Sequence, residues 1–437
     1  MDLIKKNKEI LNSIWIMGER VFNMMISLVV SVLTARYLGP SNYGTLNYTA
    51  SFVAFATSIA TLGMDGVVVK KIIENPKEEG DYLGSSIVFR LVSSVMSMIT
   101  ICAIVLFLNP NEIIKFWLVL IQSCQLMMKS VQILDVWFQR YLKAKYVSVG
   151  KMIACLVVST YKFFLLVTAK NIIWFAFANV ITDGLISLII WIFYSKENTK
   201  KLCFSFKKGK EVLSESYHFI LSGLMVAVYS QMDRIMIGKM LTDRDVGLYT
   251  TATYICSLWV FIPEAIINSF RPKMMELKIN GKEDEYKYRL GQLYSGIIWL
   301  CIIFSLGITI FAKLIIWILY GESYYGAIDT LRIVIWFETF AMIGTARGIW
   351  ILCENKNKYV KYYLLIGAVI NVLLNYFLIP ILGINGAAVA TLITQFTTSM
   401  IAPLFFSETR IHTKIVMKSL VCYWHWKREP IQPIKKM

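Results

Sequence analysis

Apolar residues in this chain come in long runs rather than in the alternating or 3.6-residue stripes of water-soluble elements. Twelve such runs can be drawn, at 12–35, 45–67, 83–108, 113–133, 146–169, 171–194, 216–240, 247–270, 290–318, 328–352, 359–380 and 386–406. A helix crosses the roughly 30 Å hydrocarbon core of a bilayer in about 20 apolar residues, so each run is long enough to span. No water reaches that core, and a backbone crossing it must satisfy its own hydrogen bonds. The pattern therefore predicts an all-α membrane protein with about 12 transmembrane helices.

The polar intervals give an independent reading. Three, three, three, six, six, three and seven Lys or Arg fall in 1–11, 68–82, 134–145, 195–215, 271–289, 353–361 and 407–437, which is 31 of the chain's 45. The alternate intervals hold five: Arg36, Lys115, Lys170, Lys239 and Arg244. Basic loops stay on the cytoplasmic side, so strict alternation supports the spans and places both termini in the cytoplasm. The same alternation absorbs most of the +17 net charge, which as topology signal and anionic-lipid contact carries no expectation of nucleic-acid binding.

The largest polar interval divides the chain into a six-helix lobe at 1–194, a cytoplasmic linker at 195–215, a second six-helix lobe at 216–406 and a basic cytoplasmic or interfacial tail at 407–437. Leu38-Gly39-Pro40-Ser41-Asn42-Tyr43-Gly44 and Leu241-Thr242-Asp243-Arg244-Asp245-Val246-Gly247 share Leu and Gly at an offset of 203, each after the first helix of a half. Six spans per half give both copies one orientation, a parallel repeat able to enclose a cavity and rock about it.

Composition excludes several chemistries. The chain is 57% hydrophobic and 17% charged, against about 25% charged in soluble domains. The eight cysteines form no CxxC pair, and most sit in apolar runs as small hydrophobes. The three histidines form no ligand cluster, so neither a metal nor a catalytic triad is expected. No phosphate-binding glycine loop, zinc-protease or nucleophile-elbow motif is present, so the chain reads as a transporter without cofactor or covalent chemistry rather than an enzyme. No cleavable leader is expected, since the lysine-rich start has no small-residue cleavage site after it.

Charges inside the spans cost about 2.5–3.5 kcal/mol each on insertion scales, so they face an interior or one another. The bases are Arg20, Arg90, Lys129, Lys151, Lys162, Arg234, Lys313, Arg332 and Arg347, and the acids are Glu19, Asp65, Asp183, Asp233, Glu264 and Glu338. Lys129, Lys151, Lys162 and Arg332 can snorkel from span ends. Arg20, Arg90, Arg234 and Arg347 are the candidates for binding a phosphate or pyrophosphate, which guanidinium suits geometrically. Asp65, Asp233 and Glu338 are the candidate charge partners or ion-coupling sites, static pairing between helices being the alternative for all of them. Gly344-Thr345-Ala346-Arg347-Gly348 reads as a close helix-packing motif.

Six segments taken in order resemble the polysaccharide-transporter (Wzx-type) flippases of the multidrug/oligosaccharidyl-lipid/polysaccharide exporter superfamily. They are Ala35 to Gly44; Leu62 to Lys70; Asp135-Val136-Trp137-Phe138-Gln139; Asp233 to Gly238 with Asp245 to Tyr249; Leu319-Tyr320-Gly321 with Tyr324, Leu331 and Arg332; and Asn375 to Pro380 with Gly383 to Ala388. Met64 stands where that family commonly has Leu. The resemblance implies a two-lobed alternating-access exporter in a bacterial plasma membrane, driven by an ion gradient. Its implied cargo is an undecaprenyl-pyrophosphate-linked oligosaccharide for O-antigen, capsule or similar polymers, and its implied neighbours are membrane lipids, a polysaccharide polymerase and a chain-length regulator. A drug or cation antiporter of the same superfamily predicts an acid-dominated cavity, and a membrane-embedded polymerase or ligase predicts a large outer loop, which this chain lacks.

Overall fold

The computed structural model describes residues 2–197 and 200–421; the remainder of the expected tail, 422–437, lies outside the described residues. Among the described residues there are fifteen α-helices joined by short turns and 3₁₀ segments, and no strand. They are α1 (Asp2–Ala60), α2 (Asp65–Glu74), α3 (Glu79–Leu108), α4 (Ile113–Val131), α5 (Asp135–Arg140), α6 (Ala144–Val167), α7 (Ile172–Glu197), α8 (Phe206–Met240), α9 (Asp243–Ser257), α10 (Phe261–Ile279), α11 (Glu283–Leu319), α12 (Ile328–Cys353), α13 (Val360–Leu382), α14 (Ile384–Phe396) and α15 (Arg410–Val421).

Nine helical segments among the described residues are long and apolar enough to cross a membrane, or ten if the α9–α10 pair, bent by 40°, counts as one span. The expected count of twelve is not reached on length and apolarity, for two physical reasons. The first segment, Leu11–Glu74, merges two expected spans. Its break is at Gly39, with φ 69° and ψ 168°, followed by Pro40; glycine takes that backbone without penalty and proline cannot continue the preceding hydrogen-bond ladder. The other is α12, long enough at 26 residues but carrying Asp329, Arg332, Glu338 and Arg347.

By contacts the chain falls into two compact units, Met1–Thr250 with Leu319–Ser323, and Thr251–Ile318 with Tyr324–Met437. Helix α8, expected to open the second lobe, packs against α1 and α3 within the first unit. The boundary falls inside α9, whose first turns belong to one unit and whose end belongs to the other.

The end of the first unit that carries the basic loops is capped by a small apolar core. Met64 just before α2, Val68 and Ile72 from α2, Trp137 and Phe138 from α5, Tyr82 and Leu83 from α3, and Tyr194 from α7 are all buried in it. The intervals 68–82 and 134–145, expected as polar loops, are thus largely helical and face inward on one side. Trp137 sits edge-on to Tyr194 at 5.5 Å and against Tyr141 at 4.7 Å, pairs that add to the area term.

The linker expected at 195–215 is also more ordered than its composition suggests. Helix α7 runs to Glu197 and α8 starts at Phe206, and the strap before α8 lies on the first turns of α3. Cys203 N donates to Gly80 O at 3.3 Å, and Ser85 Oγ donates to Ser205 O at 2.9 Å while accepting from Ser205 N at 2.8 Å. A side chain on Gly80 or Gly84 would collide with the Lys201 or Cys203 carbonyl oxygen. Glu79, almost fully buried, joins Arg140 at 2.8 Å and Lys200 at 3.3 Å. Lys71 reaches Glu211 at 2.7 Å and Glu215 at 2.5 Å.

In the second unit α15 docks through one face. His412, Thr413, Val416 and Ser419 are buried while Lys414 and Lys418 are exposed. His412 Nε2 lies 2.8 Å from Tyr294 Oη, and the imidazole packs against Trp350 at 5.4 Å. Burial, and then the positive charge of Arg347, hold the His412 imidazole well below its ordinary value of 6.5. The unfolded chain therefore binds a proton below about pH 6.5 that the docked state does not, and stability falls as pH is lowered through that range. We expect the thermal midpoint of the purified protein to drop between pH 7.5 and 5.5, with His412→Gln losing part of that slope. Superimposable pH profiles for the two proteins would remove His412 as the cause.

Candidate functional site

The first unit gathers charged side chains from α1, α2, α3, α5 and α6. Leu62 and Gly63 both have positive φ, at 53° and 56°, and this turn starts α2 with Asp65 in its first position. A carboxylate there complements the positive end of the helix. Arg90 projects from α3 and its Nη2 lies 2.9 Å from Asp65 Oδ2. The pair is lopsided: the Arg90 side chain is 3% exposed and that of Asp65 is 63%. Arg90 Nε, moreover, has no hydrogen-bond acceptor among the described residues. A buried guanidinium that leaves part of its donor fork unused is costly, and it is ready for an anion that can fill it.

A second group lies alongside. Glu19 on α1 is buried, accepts a hydrogen bond from Asn23, and is attracted by Lys151 and by its neighbour Arg20. Lys151 Nζ on α6 is 3.8 Å from Asp135 Oδ2 at the start of α5. Asp135 in turn feels the negative charge of Asp65, which couples the two groups. Arg20, Arg90 and Asp65 are thus joined in one electrostatic chain with Glu19, Asp135 and Lys151. Three bases and three acids stand here, so the excess of bases counted along the spans is not concentrated at this place. The sequence marked Lys151 as a snorkelling residue and left Asp135 outside the spans. The Asp135-Val136-Trp137-Phe138-Gln139 segment was the available signal for Asp135, since it places an acid at the foot of a buried aromatic turn.

The other candidates lie elsewhere. Asp233 on α8 is buried and accepts from Tyr249 Oη at 2.5 Å, while Arg234 interacts with Tyr43. Arg347 and Glu338 belong to the second unit. Arg347 donates from Nη1 to Thr398 O and lies over the Tyr363 ring at 4.3 Å, so it ties α12 to α13 and to the segment after α14. Glu338 is 7% exposed and interacts with Glu264 on α10, Cys256 on α9 and Cys301 on α11. Lys129 pairs with Asp183 at 3.7 Å, and Gln132 donates to the same carboxylate at 3.0 Å, a static bridge from α4 to α7. Among the described residues no cluster of His, Cys, Asp or Glu could hold a metal ion.

At the opposite end of the first unit the two repeated loops meet. A methyl group on Gly44 would collide with Asp243 O and stand 2.8 Å from Gly247 N; one on Gly247 would collide with Pro40 O and stand 3.2 Å from Gly44 N. The contact is reciprocal, as expected where two copies of one motif face each other across a twofold relation. Thr242 and Asp245 cap α9 mutually, with Thr242 Oγ1 donating to Asp245 Oδ2 at 2.6 Å. Lys115, 3% exposed, lies 2.8 Å from Asp243 Oδ1 and 2.9 Å from Glu112 Oε2, above the Tyr48 ring at 4.8 Å. Thr45 Oγ1 donates to Asp243 Oδ2 at 2.7 Å. Together these close that end tightly.

Residues 10–274 match the family model described as "Polysaccharide biosynthesis protein". The chain is 24% identical over 388 residues to the probable low-salt glycan biosynthesis flippase Agl15 of Haloferax volcanii, covering 87% of this chain and 79% of that one. Its fold is similar to that of the lipid II flippase MurJ in an inward closed conformation, with a TM-score of 0.72, 17% identity and coverage of 95% and 92% of the two chains. It is also similar to an inward-facing multidrug resistance MATE family transporter of the MOP superfamily, with a TM-score of 0.67, 14% identity and coverage of 91% and 96%.

The reciprocal loop contact leads to a measurable expectation. Overpacking of this kind costs about 1–3 kcal/mol, and here it falls on backbone that cannot rotate away. Gly44→Ala should lower the thermal midpoint and increase the distance between spin labels at Asn111 and Arg244, both exposed. An unchanged distance in a folded variant would show the contact to be slack.

Proposed function

The chain belongs to the polysaccharide biosynthesis protein family, and from that premise we propose that it is a flippase for lipid-linked oligosaccharides. It would move an undecaprenyl-pyrophosphate-linked repeat unit across a bacterial plasma membrane, from the cytoplasmic to the outer leaflet, for assembly into a surface polymer. Both termini would be cytoplasmic, following the basic loops. The flippase similar to it over 87% of its length is archaeal, which supports the activity and leaves the carrier lipid to this proposal.

The observation that carries the reading is the buried Arg90 with unused donor capacity beside an exposed Asp65. A pyrophosphate entering from the basic-loop end would displace Asp65 and fill the guanidinium fork bidentately. Arg20 and Lys151 would add positive charge from α1 and α6. The freed carboxylates of Asp65 and Asp135 would then repel the anion once the site rearranges, which favours release rather than trapping. Lobes 1–194 and 216–406 would rock about the site. Opening at the opposite end would break the Lys115–Asp243 and Gly44–Gly247 contacts. Arg234 and Asp233 would lie on the exit side. Glu338 with Glu264 would couple an ion gradient, and Arg347 would hold the second lobe together. A polymerase and a chain-length regulator would receive the product.

Arg90→Gln and Arg20→Ala should each lower surface glycan at least tenfold in a host that depends on this protein, with lipid-linked glycan accumulating inside, at normal protein levels. Full surface glycan in Arg20→Ala, Arg90→Gln and Arg234→Ala alike would reject the assignment. The balanced count of acids and bases favours one competing reading, an ion-coupled export of cationic compounds; proton-dependent efflux of ethidium, abolished by Asp65→Asn, would support that instead.

A further inference from the structure

A groove of about 440 Å³ runs along the first unit between α1, α3 and α8. Its walls are almost wholly apolar, with Phe52 and Ala56 from α1, Met232 and Ile235 from α8, and a stripe of α3 from Ser93 to Leu108. Two of the three hydroxyl-bearing residues on that stripe, Ser93 and Thr100, are hydrogen-bonded to backbone. Ser93 Oγ donates to Ile59 O at 3.2 Å, and Thr100 Oγ1 donates to Met96 O at 2.8 Å. Their hydrogens point at backbone carbonyls, so they act as small residues that deepen the trench.

The dimensions select an occupant. From Ser93 to Leu108 the α3 stripe spans roughly 22 Å at 1.5 Å per residue, so 440 Å³ leaves a mean cross-section of roughly 20 Å². A section of that size accommodates an extended hydrocarbon chain lying along the groove. The groove also has a charged end. Arg90 precedes Ser93 by three residues and Ser97 by seven, which puts it on the same face of α3, one turn beyond the groove. The pattern along that face is therefore one buried guanidinium with an open donor, followed by an apolar trench one chain wide.

We propose that this groove holds the single hydrocarbon chain of a polyprenyl-type lipid whose phosphate lies against Arg90. The inference rests on the flippase reading and names the part of the cargo that the charged cluster does not bind. Seating one chain in a fitted trench aligns the head group with Arg90. It also discriminates against two-chain phospholipids, which outnumber the cargo in any membrane and carry similar phosphates.

The test uses the full chain in phosphatidylcholine nanodiscs and three probes with a photoreactive diazirine on the tail: polyprenyl phosphate, neutral polyprenol and phosphatidic acid. Polyprenyl phosphate should label residues between 93 and 108 and their neighbours on α1 and α8, and polyprenol should label the same residues more weakly. Phosphatidic acid should not compete. Ser97→Trp should cut labelling by both single-chain probes at least fivefold. Ile104→Trp, at a position 42% exposed and so tolerant of bulk, should do the same without risk to folding. Arg90→Gln should reduce polyprenyl phosphate to the polyprenol level and leave polyprenol unchanged. Equal labelling by phosphatidic acid, or full labelling of both Trp variants, would overturn the proposal. Polyprenol reports on the groove alone, so its result stands apart from the surface-glycan test of the transport reading.

Discussion

A charge in hydrocarbon has to find a partner, and much of this structure can be read as the set of solutions to that constraint. The cost is a few kcal/mol per isolated group, comparable to a large fraction of a protein's net stability. Asp183 meets Lys129, Asp233 meets Tyr249, and Arg347 meets the Thr398 carbonyl and the Tyr363 ring. These solutions bind helix to helix, although Arg347 Nε, like Arg90 Nε, meets no hydrogen-bond acceptor among the described residues. Arg90 differs from these in having an ion-pair partner, Asp65, that is largely exposed.

The second constraint is close approach without side chains. Glycines let backbone lie on backbone at two places in the first unit. At the basic-loop end, Gly80 and Gly84 accept the strap before α8, and ion pairs from Glu79 and Lys71 fasten it. At the other end, Gly44 and Gly247 accept each other's loops, and Lys115 fastens Asp243. Both contacts combine a snug backbone fit, which is all-or-none, with ion pairs that water can replace once the fit opens.

Transport of the proposed kind needs no covalent chemistry. In the proposed reading the binding work would be divided between a charged cluster for the head group, with equal numbers of acids and bases, and an apolar trench for a chain. Balance has a physical use: a cluster of bases alone would hold a pyrophosphate too well to release it, whereas carboxylates displaced by the anion favour its departure.

Hydrophobic runs, the alternation of basic intervals and the Leu38–Gly44 and Leu241–Gly247 repeat were all legible in the sequence, because bilayer thickness and lipid exclusion of polar groups act on local composition. The helical class and the intramembrane position of Arg90 and Asp65 follow from that. The count of twelve is not confirmed by length and apolarity, since the two helices that meet at the non-helical Gly39 form one long segment and the charges of α12 lower its apolarity. Nor could composition show that the polar intervals 68–82 and 134–145 fold into helices around Trp137, or that Lys151 turns toward Asp135. Neighbours on one helix point about 100° apart, so a charge finds its partner on another helix, at a sequence distance no local pattern encodes. The sequence by itself determined that this chain lives in a membrane and which residues had to be matched there; only the tertiary structure decided which partner each received, because pairing depends on helix rotation and contact that exist only once the helices are packed.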